Sequence, residues 1–452
     1  MTQITKKDKN LLLKSPEQAL EILDKVLVRA TKGGATDVAV SFSHSQGISV
    51  EVRMGQVDTV TFNEDKGVSV TVYIGKQKGS ASSTDTSEAA LDNMVNAACD
   101  IASVSASDPC FGLADKSLMC SNPDSLDLFH PWDIQTDEAI ERALQCEKHA
   151  LGLDKRLVNS DGVGLSTVSH CSAYMNTAGA KGVIYSSRHG MSCSLIAEQD
   201  GKMQRDYDYT TARKPKDLVS VNQLGESAAE RTLSRLGARK IKTQKAPVLF
   251  SNRLSSRLMG YFISAISGSN LYRKRSFLLD SLGKVIFPQF VQVYEQPLLL
   301  GGLGSTPMDS DGVNTRDNHF VVDGKVEQYV LGHYSANRLK MKTTGNADGV
   351  HNMTVDATTG DVNMIAKSLK KGLLVTETMG QGVNILTGDY SVGAFGYWIE
   401  EGEIIHPVEE VTIAGNLGAI FQGIEAIGND INPNYSTRCG SILVNEMTIA
   451  GN

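Results

Sequence analysis

The chain has 452 residues, 41% of them hydrophobic and 21% charged, with a formal net charge of −7. That length exceeds one core and indicates a soluble globular protein of two or three domains. The acidic balance argues against a nucleic-acid or anionic-membrane role and leaves cationic and peptide-like partners open.

Seven cysteines, with no CxxC among them, suit a reducing compartment. The stretch MTQITKKDKNLLLKSPEQAL has no signal-peptide core, and no apolar run is long enough to span a bilayer, so the cytoplasm is the expected location.

Residues 16–33 predict a helix, with Ser15 as cap, Pro16 in the first turn and Leu20, Ile22, Leu23, Val26, Leu27 and Ala30 as its apolar face. From Val38 to Ser83 the period changes to two. Five short strands are expected there, a β-meander with turns at Ser45-Gln46, Met54-Gly55, Asp65-Lys66-Gly67 and Gly75-Lys76. Asp85 or Thr86 should cap a helix reaching about Ser103. A second helix is expected over about 136–151. Long strands follow at 157–176 and 182–199, then a hairpin at Asp200-Gly201 and a helix over about 222–236.

The second half opens with the apolar strand Pro247–Phe250. Ser251 or Asn252 can then cap a helix over 252–267, whose apolar face is Leu254, Leu258, Tyr261, Phe262, Ala265 and Ile266. Gly268 is placed to end it. Gly260, Ser264 and Ser267 form a stripe of small residues on the other side, where something could pack close. A basic knot follows at Arg273, Lys274 and Arg275, next to Tyr272.

Beyond Lys284 the chain reads as mostly β, with hairpin turns at Asp323-Gly324 and Glu401-Gly402. Residues 408–416 return almost unchanged as 444–452, which indicates two equivalent strands, each ending in a tight glycine turn. The expected architecture is α+β. An N-terminal domain over 1–238 combines the β-meander with helices, and a C-terminal domain over 245–452 is a mostly antiparallel β barrel or sandwich around the 252–267 helix.

Other motifs are weak. Asp309-Ser310-Asp311-Gly312-Val313-Asn314 begins like a calcium loop, but its glycine is misplaced and Phe320 stands where the bidentate glutamate belongs, so a polar turn is expected. Ser281 with Lys284 and Ser368 with Lys371 match S-x-x-K without companion motifs. Gly380-Gln381-Gly382 is an isolated GxG, read as a turn. The nine histidines are scattered, and His319, His333, His351 and His406 could meet only through folding.

Residues 251–287 resemble the TldD/PmbA family, and within it the PmbA (TldE) branch. GSASSTD (79–85), SSRHGMSCSLIAEQDGKMQRDYDYT (186–210), GVHN (349–352), TETMGQGVNILTGDYS (376–391) and TIAGNL (412–417) extend the resemblance, in order, over nearly the whole chain. In the TldD branch the helix region looks like HExxxH. Anchoring on Tyr272-Arg273-Lys274 puts Gly260, Tyr261 and Ala265 where that branch has His, Glu and His. A zinc peptidase needs imidazoles for the metal and a carboxylate for the proton of the bound water. These three residues supply neither.

The resemblance therefore implies that a TldD-like partner carries the zinc and the catalysis. This chain is then a subunit without its own catalytic residue or metal, acting with that partner on unfolded or modified peptides, an activity the family links to microcin maturation and antitoxin turnover. Ser264, Ser267, Arg273, Lys274 and Arg275 become candidates for the chamber or the interface. The TldD branch also places a C-terminal Cys on zinc. Cys439 lies in the comparable segment, where a buried structural cysteine is the plainer expectation. An independent hydrolase, a non-proteolytic peptide-binding protein and a homodimer of the isolated chain all stay open. No nucleic acid or membrane partner is expected.

Overall fold

A computed structural model of the chain describes residues 16–451. The expected Ser15 cap lies outside them. The fold is α+β. Its first half is a six-stranded antiparallel sheet made of β1 (Asp37–Arg53), β2 (Gln56–Ile74), β3 (Gln77–Ser83), β4 (Leu157–Asn176), β5 (Lys181–Gln199) and β6 (Lys202–Ala212), in the order β3-β2-β1-β4-β5-β6. Four helices lie on one face: α1 (Pro16–Lys32), α2 (Glu88–Val104), α3 (Thr136–Leu151) and α4 (Val221–Ser234). They divide it between them. The pair α1 and α2 buries Val38, Val40, Phe42, Val68, Val70 and Val72. The pair α3 and α4 buries Val50, Val52, Leu165, Cys193 and Leu195.

The expected meander is present as β1, β2 and β3, but with three longer strands in place of five short ones. Ser45-Gln46 and Asp65-Lys66-Gly67 are not turns, since β1 and β2 run straight through them with Ser45 opposite Asp65 and Gly47 opposite Asn63. On the other side Ser45 faces His170 of β4. These residues are polar because they cross the gap between the two helix pairs, where side chains meet water while the backbone stays paired. The Met54-Gly55 turn is real, with φ of 49° and 75°, values that suit a two-residue hairpin. Helix α2 is capped by Ser87, one or two residues later than expected, and Asp85 in turn accepts the Ser87 N–H at 2.8 Å.

The second half contains β7 (Gln244–Phe250), α5 (Asn252–Ala265), α6 (Gly268–Tyr272), β8 (Val293–Glu295), β9 (Asn318–Val322), β10 (Lys325–Val326), α7 (His333–Leu339), β11 (Met353–Val355), α8 (Val362–Lys367), β12 (Lys371–Met379), β13 (Val383–Asn384), β14 (Asp389–Glu400), β15 (Glu403–Asn416), α9 (Leu417–Gln422), β16 (Ile424–Ile427) and β17 (Ile442–Ala450). Strands β12, β7, β17, β15 and β14 close a five-stranded barrel through the β12–β14 pairing. Gly396 allows the closure, because a Cβ there would lie 2.0 Å from the Leu374 carbonyl oxygen.

The repeated segments are neighbours in this barrel. Ile413 of β15 stands opposite Ile449 of β17. Gly415 is not in a turn but inside β15, opposite Tyr390. The stretch from Arg273 to Asn352 carries far less strand than expected. It is organised around buried Glu295, which accepts from Asn318 Nδ2 at 2.6 Å, Asn346 Nδ2 at 2.7 Å and the His351 N–H at 2.7 Å.

Helix α2 sits directly on β3 at Gly79, where a Cβ would lie 2.0 Å from the Ala98 oxygen and 2.5 Å from the Ala102 nitrogen. Both atoms are helix backbone and cannot step aside. Gly79→Ala should therefore destabilise the fold by about 1–3 kcal/mol, as overpacking does. A thermal melt unchanged from the parent chain would show that α2 does not hold this contact.

Candidate functional site

Helix α5 follows β7 through Ser251, which takes the cap position but makes no side-chain cap bond. Ser255, Leu258, Met259, Phe262 and Ala265 are buried, at the three- and four-residue spacing of one helix face. Phe262 packs edge-on to Phe287 at 4.9 Å and to Phe421 at 6.0 Å between ring centroids. The other side of the helix is open. Arg257 and Gly260 are exposed, and a Cβ built on Gly260 meets nothing within 4 Å. Tyr261 is half-buried against Tyr390 at 6.2 Å.

The three positions aligned with a metal motif therefore do not converge. Gly260 faces open space, Tyr261 rests on Tyr390, and Ala265 is fully buried. Cys439 lies under the opposite, buried side, where its carbonyl accepts from Ser255 Oγ at 3.3 Å. Burial pushes its thiol up to about 12. These residues do not fit a zinc ion: three offer no imidazole or carboxylate in place, and the fourth is a sealed, protonated thiol. Among the described residues no group of three or more His, Cys, Asp or Glu is arranged to hold a metal.

The small-residue stripe is shorter than expected. The chain leaves the helix after Ala265 because Gly268 N–H bonds the Val330 oxygen at 2.8 Å and Val330 N–H bonds the Ile266 oxygen at 3.2 Å. Ser267 thus caps α6 and is not on the face of Gly260 and Ser264. Gly268 does not terminate α5 either. It begins α6, where a Cβ would lie 2.3 Å from Ser335 Oγ. Half-buried Ser264 accepts from Asn270 Nδ2 through its carbonyl at 2.8 Å and its hydroxyl at 3.2 Å.

Arg273, Lys274 and Arg275 are exposed just beyond α6. Arg273 folds back over the Tyr272 ring at 5.3 Å and donates to its hydroxyl at 3.0 Å.

Two cations of α5 had no motif to announce them. Arg253 ion-pairs with Asp208 of β6, and its guanidinium sits 5.5 and 5.4 Å from the Tyr207 and Tyr209 rings. Arg257 donates to Thr378 Oγ1 of β12 at 3.3 Å. The open side of α5 is therefore bounded by the edge of the first sheet and by the barrel strands. The only local hint was a lone cation in the first turn of a helix, where the dipole disfavours it.

A second polar region lies on the sheet face opposite α1 and α2. A cavity of about 460 Å³ is lined there by Ser41, Ser43, Thr71, Tyr73, Tyr174 and Asp309, among others. The would-be calcium loop is a turn, as expected. Asp309 Oδ1 accepts the N–H groups of Asp311 at 3.0 Å and Val313 at 2.9 Å, and Oδ2 accepts that of Ala347 at 3.0 Å.

Three domains of the PmbA/TldA metallopeptidase family match this chain: domain 1 over residues 38–102, the central domain over 129–236 and the C-terminal domain over 243–451. The metalloprotease PmbA of Escherichia coli O157:H7 is 44% identical over 439 residues, 97% of this chain and 98% of the relative. The chain belongs to the PmbA/TldA metallopeptidase family.

Its relatives place it in the PmbA (TldE) branch. A metalloprotease PmbA homolog of Haemophilus influenzae is 42% identical over 98% of both chains. A Bacteroides thetaiotaomicron crystal structure, described as a modulator of DNA gyrase, superposes with a TM-score of 0.91 at 26% identity, covering 97% of this chain and all of that one. TldE from Thermococcus kodakarensis shares the fold, with a TM-score of 0.84 at 19% identity over 95% of this chain and all of that one.

The Asp309 turn gives a pH test. Burial, then the charge of Asp311, raises the Asp309 carboxyl to about 7 despite its backbone hydrogen bonds. The ordinary value is about 3.9. The folded chain thus holds this proton more tightly than the unfolded one. Its contribution is full below about pH 4 and is lost as pH rises through about 7. The thermal midpoint should fall between pH 5 and 8 by more in the parent chain than in Asp309→Asn, and equal falls would exclude Asp309 as the cause.

Proposed function

We propose that this chain is the non-catalytic subunit of a TldD–TldE type metallopeptidase, with zinc and catalysis on a TldD-like partner. The open side of α5 then forms part of the chamber in which the partner's zinc meets the peptide. The observation that carries this reading is Gly260, which lies at a metal-ligand position of the partner branch yet offers no donor and leaves empty space. An extended, unfolded peptide could enter that space between β6 and β12, beside Arg257. Unfolded or modified peptides are the substrate class this implies.

The cytoplasm is the proposed compartment. All seven cysteines are free thiols, and no described helix is long and apolar enough to cross a membrane.

Mixed with a TldD-like partner, the chain should form a hetero-oligomer whose peptidase activity a chelator abolishes. The isolated chain should hold far less than one zinc by elemental analysis. Stoichiometric zinc on the isolated chain, or chelator-resistant cleavage by it, would overturn the assignment in favour of an independent hydrolase. Gly260→Phe adds the sharper test. Its side chain enters open space, so the melting temperature should hold while cleavage by the complex drops. Full cleavage by that complex would remove α5 from the chamber.

A further inference from the structure

The cavity on the helix-free face of the first sheet measures about 460 Å³, and no residue of α5 lines it. Pockets for small ligands span about 300–1,000 Å³. Its shape follows from the strand pattern. Tyr73 of β2 and Tyr174 of β4 stand on either side of β1, opposite Asp37 and Ser41. Between them β1 presents only the small side chains of Ala39 and Ser41, so the floor is low and the two rings rise as walls. The turn of Asp309 and Asp311 closes the space from the other half of the chain. Gly312 seats that turn on Tyr174, because a Cβ there would lie 2.4 Å from the ring Cε1.

The charges around the cavity are not balanced within the chain. Asp309, Asp311 and Asp348 line it, and none is paired with a Lys or Arg among the described residues. Asp309 is sealed behind its three backbone donors. Asp311 gives Oδ2 to the His333 N–H at 2.8 Å, and its Oδ1 bonds no described residue. Asp348 stands 3.5 Å from His351 Nε2. The Tyr73 hydroxyl also bonds no described residue. Burial, then the charge of Asp311, pushes that phenol up to about 12, so it stays neutral. The one lysine of the lining, Lys78, is exposed. Its ammonium lies 5.9 Å from the Phe111 ring with no carboxylate paired to it among the described residues.

Negative charge gathered in a walled space calls for a positive guest. A bare metal ion does not suit it, since the carboxylates are not grouped as ligands and the space far exceeds one ion. An organic ammonium does suit it, because ring faces and carboxylates both attract such a group. Lys78 would repel a second cation and attract an anion at the other end of the same guest.

We propose that this cavity binds a small zwitterion, an α-amino acid or a dipeptide. Its ammonium lies between Tyr73, Tyr174 and Asp311, and its carboxylate points toward Lys78. This does not rest on the peptidase assignment, and its test needs neither zinc nor a partner.

Calorimetric titration of the full chain is that test. The probes are the common α-amino acids, one at a time, and L-alanyl-L-alanine. Saturable one-to-one binding of at least one probe is expected, and the tighter class identifies the source. The N-acetyl derivative of the best binder lacks the ammonium and should not bind. Its C-terminal amide keeps the ammonium and should bind about tenfold more weakly than the parent compound. Asp311→Asn should weaken both the zwitterion and the amide about tenfold. Lys78→Gln should weaken the zwitterion by a similar factor but not the amide. Asparagine keeps an oxygen for the His333 N–H and Lys78 is exposed, so ligand-free melting temperatures should hold. No binding of any probe at millimolar concentration overturns the proposal. So does an N-acetyl derivative that binds as well as its parent, or binding that neither variant changes.

Discussion

The two halves of the chain meet at β6, and the position of α5 depends on that junction. Strand β6 is an edge of the six-stranded sheet, so its outer backbone groups need partners. The side chain of Asn434 supplies them: its oxygen accepts the Thr211 N–H at 2.8 Å and its nitrogen donates to the Tyr209 oxygen at 3.1 Å. One amide thus does the work of a neighbouring strand. Arg253 adds its pairing with Asp208 and its seat beside two tyrosine rings, a contact type worth about 0.5–2 kcal/mol. Farther along, Arg235 bonds Asp206 at 3.3 Å and Glu377 at 2.7 Å while its guanidinium lies 3.6 Å from the Phe395 ring. Asp206 and Arg235 are nearly buried, and each has a second partner, Arg231 at 3.4 Å and Glu377 at 2.7 Å. The loss of either therefore leaves the other paired and should cost less than a stranded buried charge, which costs about 3–5 kcal/mol. The sheet edge is tied to helix and barrel by a network of charges that share partners.

What could be read from the sequence follows from the range of the interactions. The hairpins at Asp200-Gly201, Asp323-Gly324 and Glu401-Gly402 were legible because their positive φ values demand such residues locally. Strands β4 and β5 were legible because β5 buries Met191, Cys193, Leu195 and Ala197 in alternation and β4 buries Val163, Leu165 and Thr167 likewise, after two irregularities at its start. Strands β1 and β2 misled for the converse reason. Their middle thirds lie between two helix pairs, and without a buried face a strand resembles a turn-rich loop. The end of α5 misled because backbone bonds to Val330 draw the chain out of the helix, a partner more than sixty residues away along the sequence. Asn434 and Tyr209 left no local trace at all. That Gly260, Tyr261 and Ala265 carry no imidazole or carboxylate was legible, since this needs only residue types. Where those positions point was not.

The two edges of the six-stranded sheet are treated differently. At β6 the chain invests an asparagine, an arginine and a tyrosine pair in closing its own edge. At the other side the cover is partial: β3 ends at Ser83 and leaves the N-terminal part of β2 bare. Closing that edge would have required only a longer β3. One edge is protected by side chains that bond its backbone, the other by a bulge at Asp58 and by the exposed charges of Asp58, Glu64, Asp65 and Lys66.

Gly260 raises a question of a different kind. A glycine inside a helix costs about 1 kcal/mol relative to alanine. Other glycines of this chain are explained by what they touch. Gly79 admits a helix backbone, Gly268 admits Ser335, and Gly396 admits a barrel carbonyl. Gly260 touches nothing and has no positive φ. Alanine would fit there and would strengthen α5. The inner face of α5 packs through Leu258, Met259 and Phe262, which neither need nor sense a glycine on the far side. The fold therefore gives no reason for Gly260. In the proposed assembly the reason lies in the space beyond it, which this chain does not fill, and in what the partner would bring closest to α5.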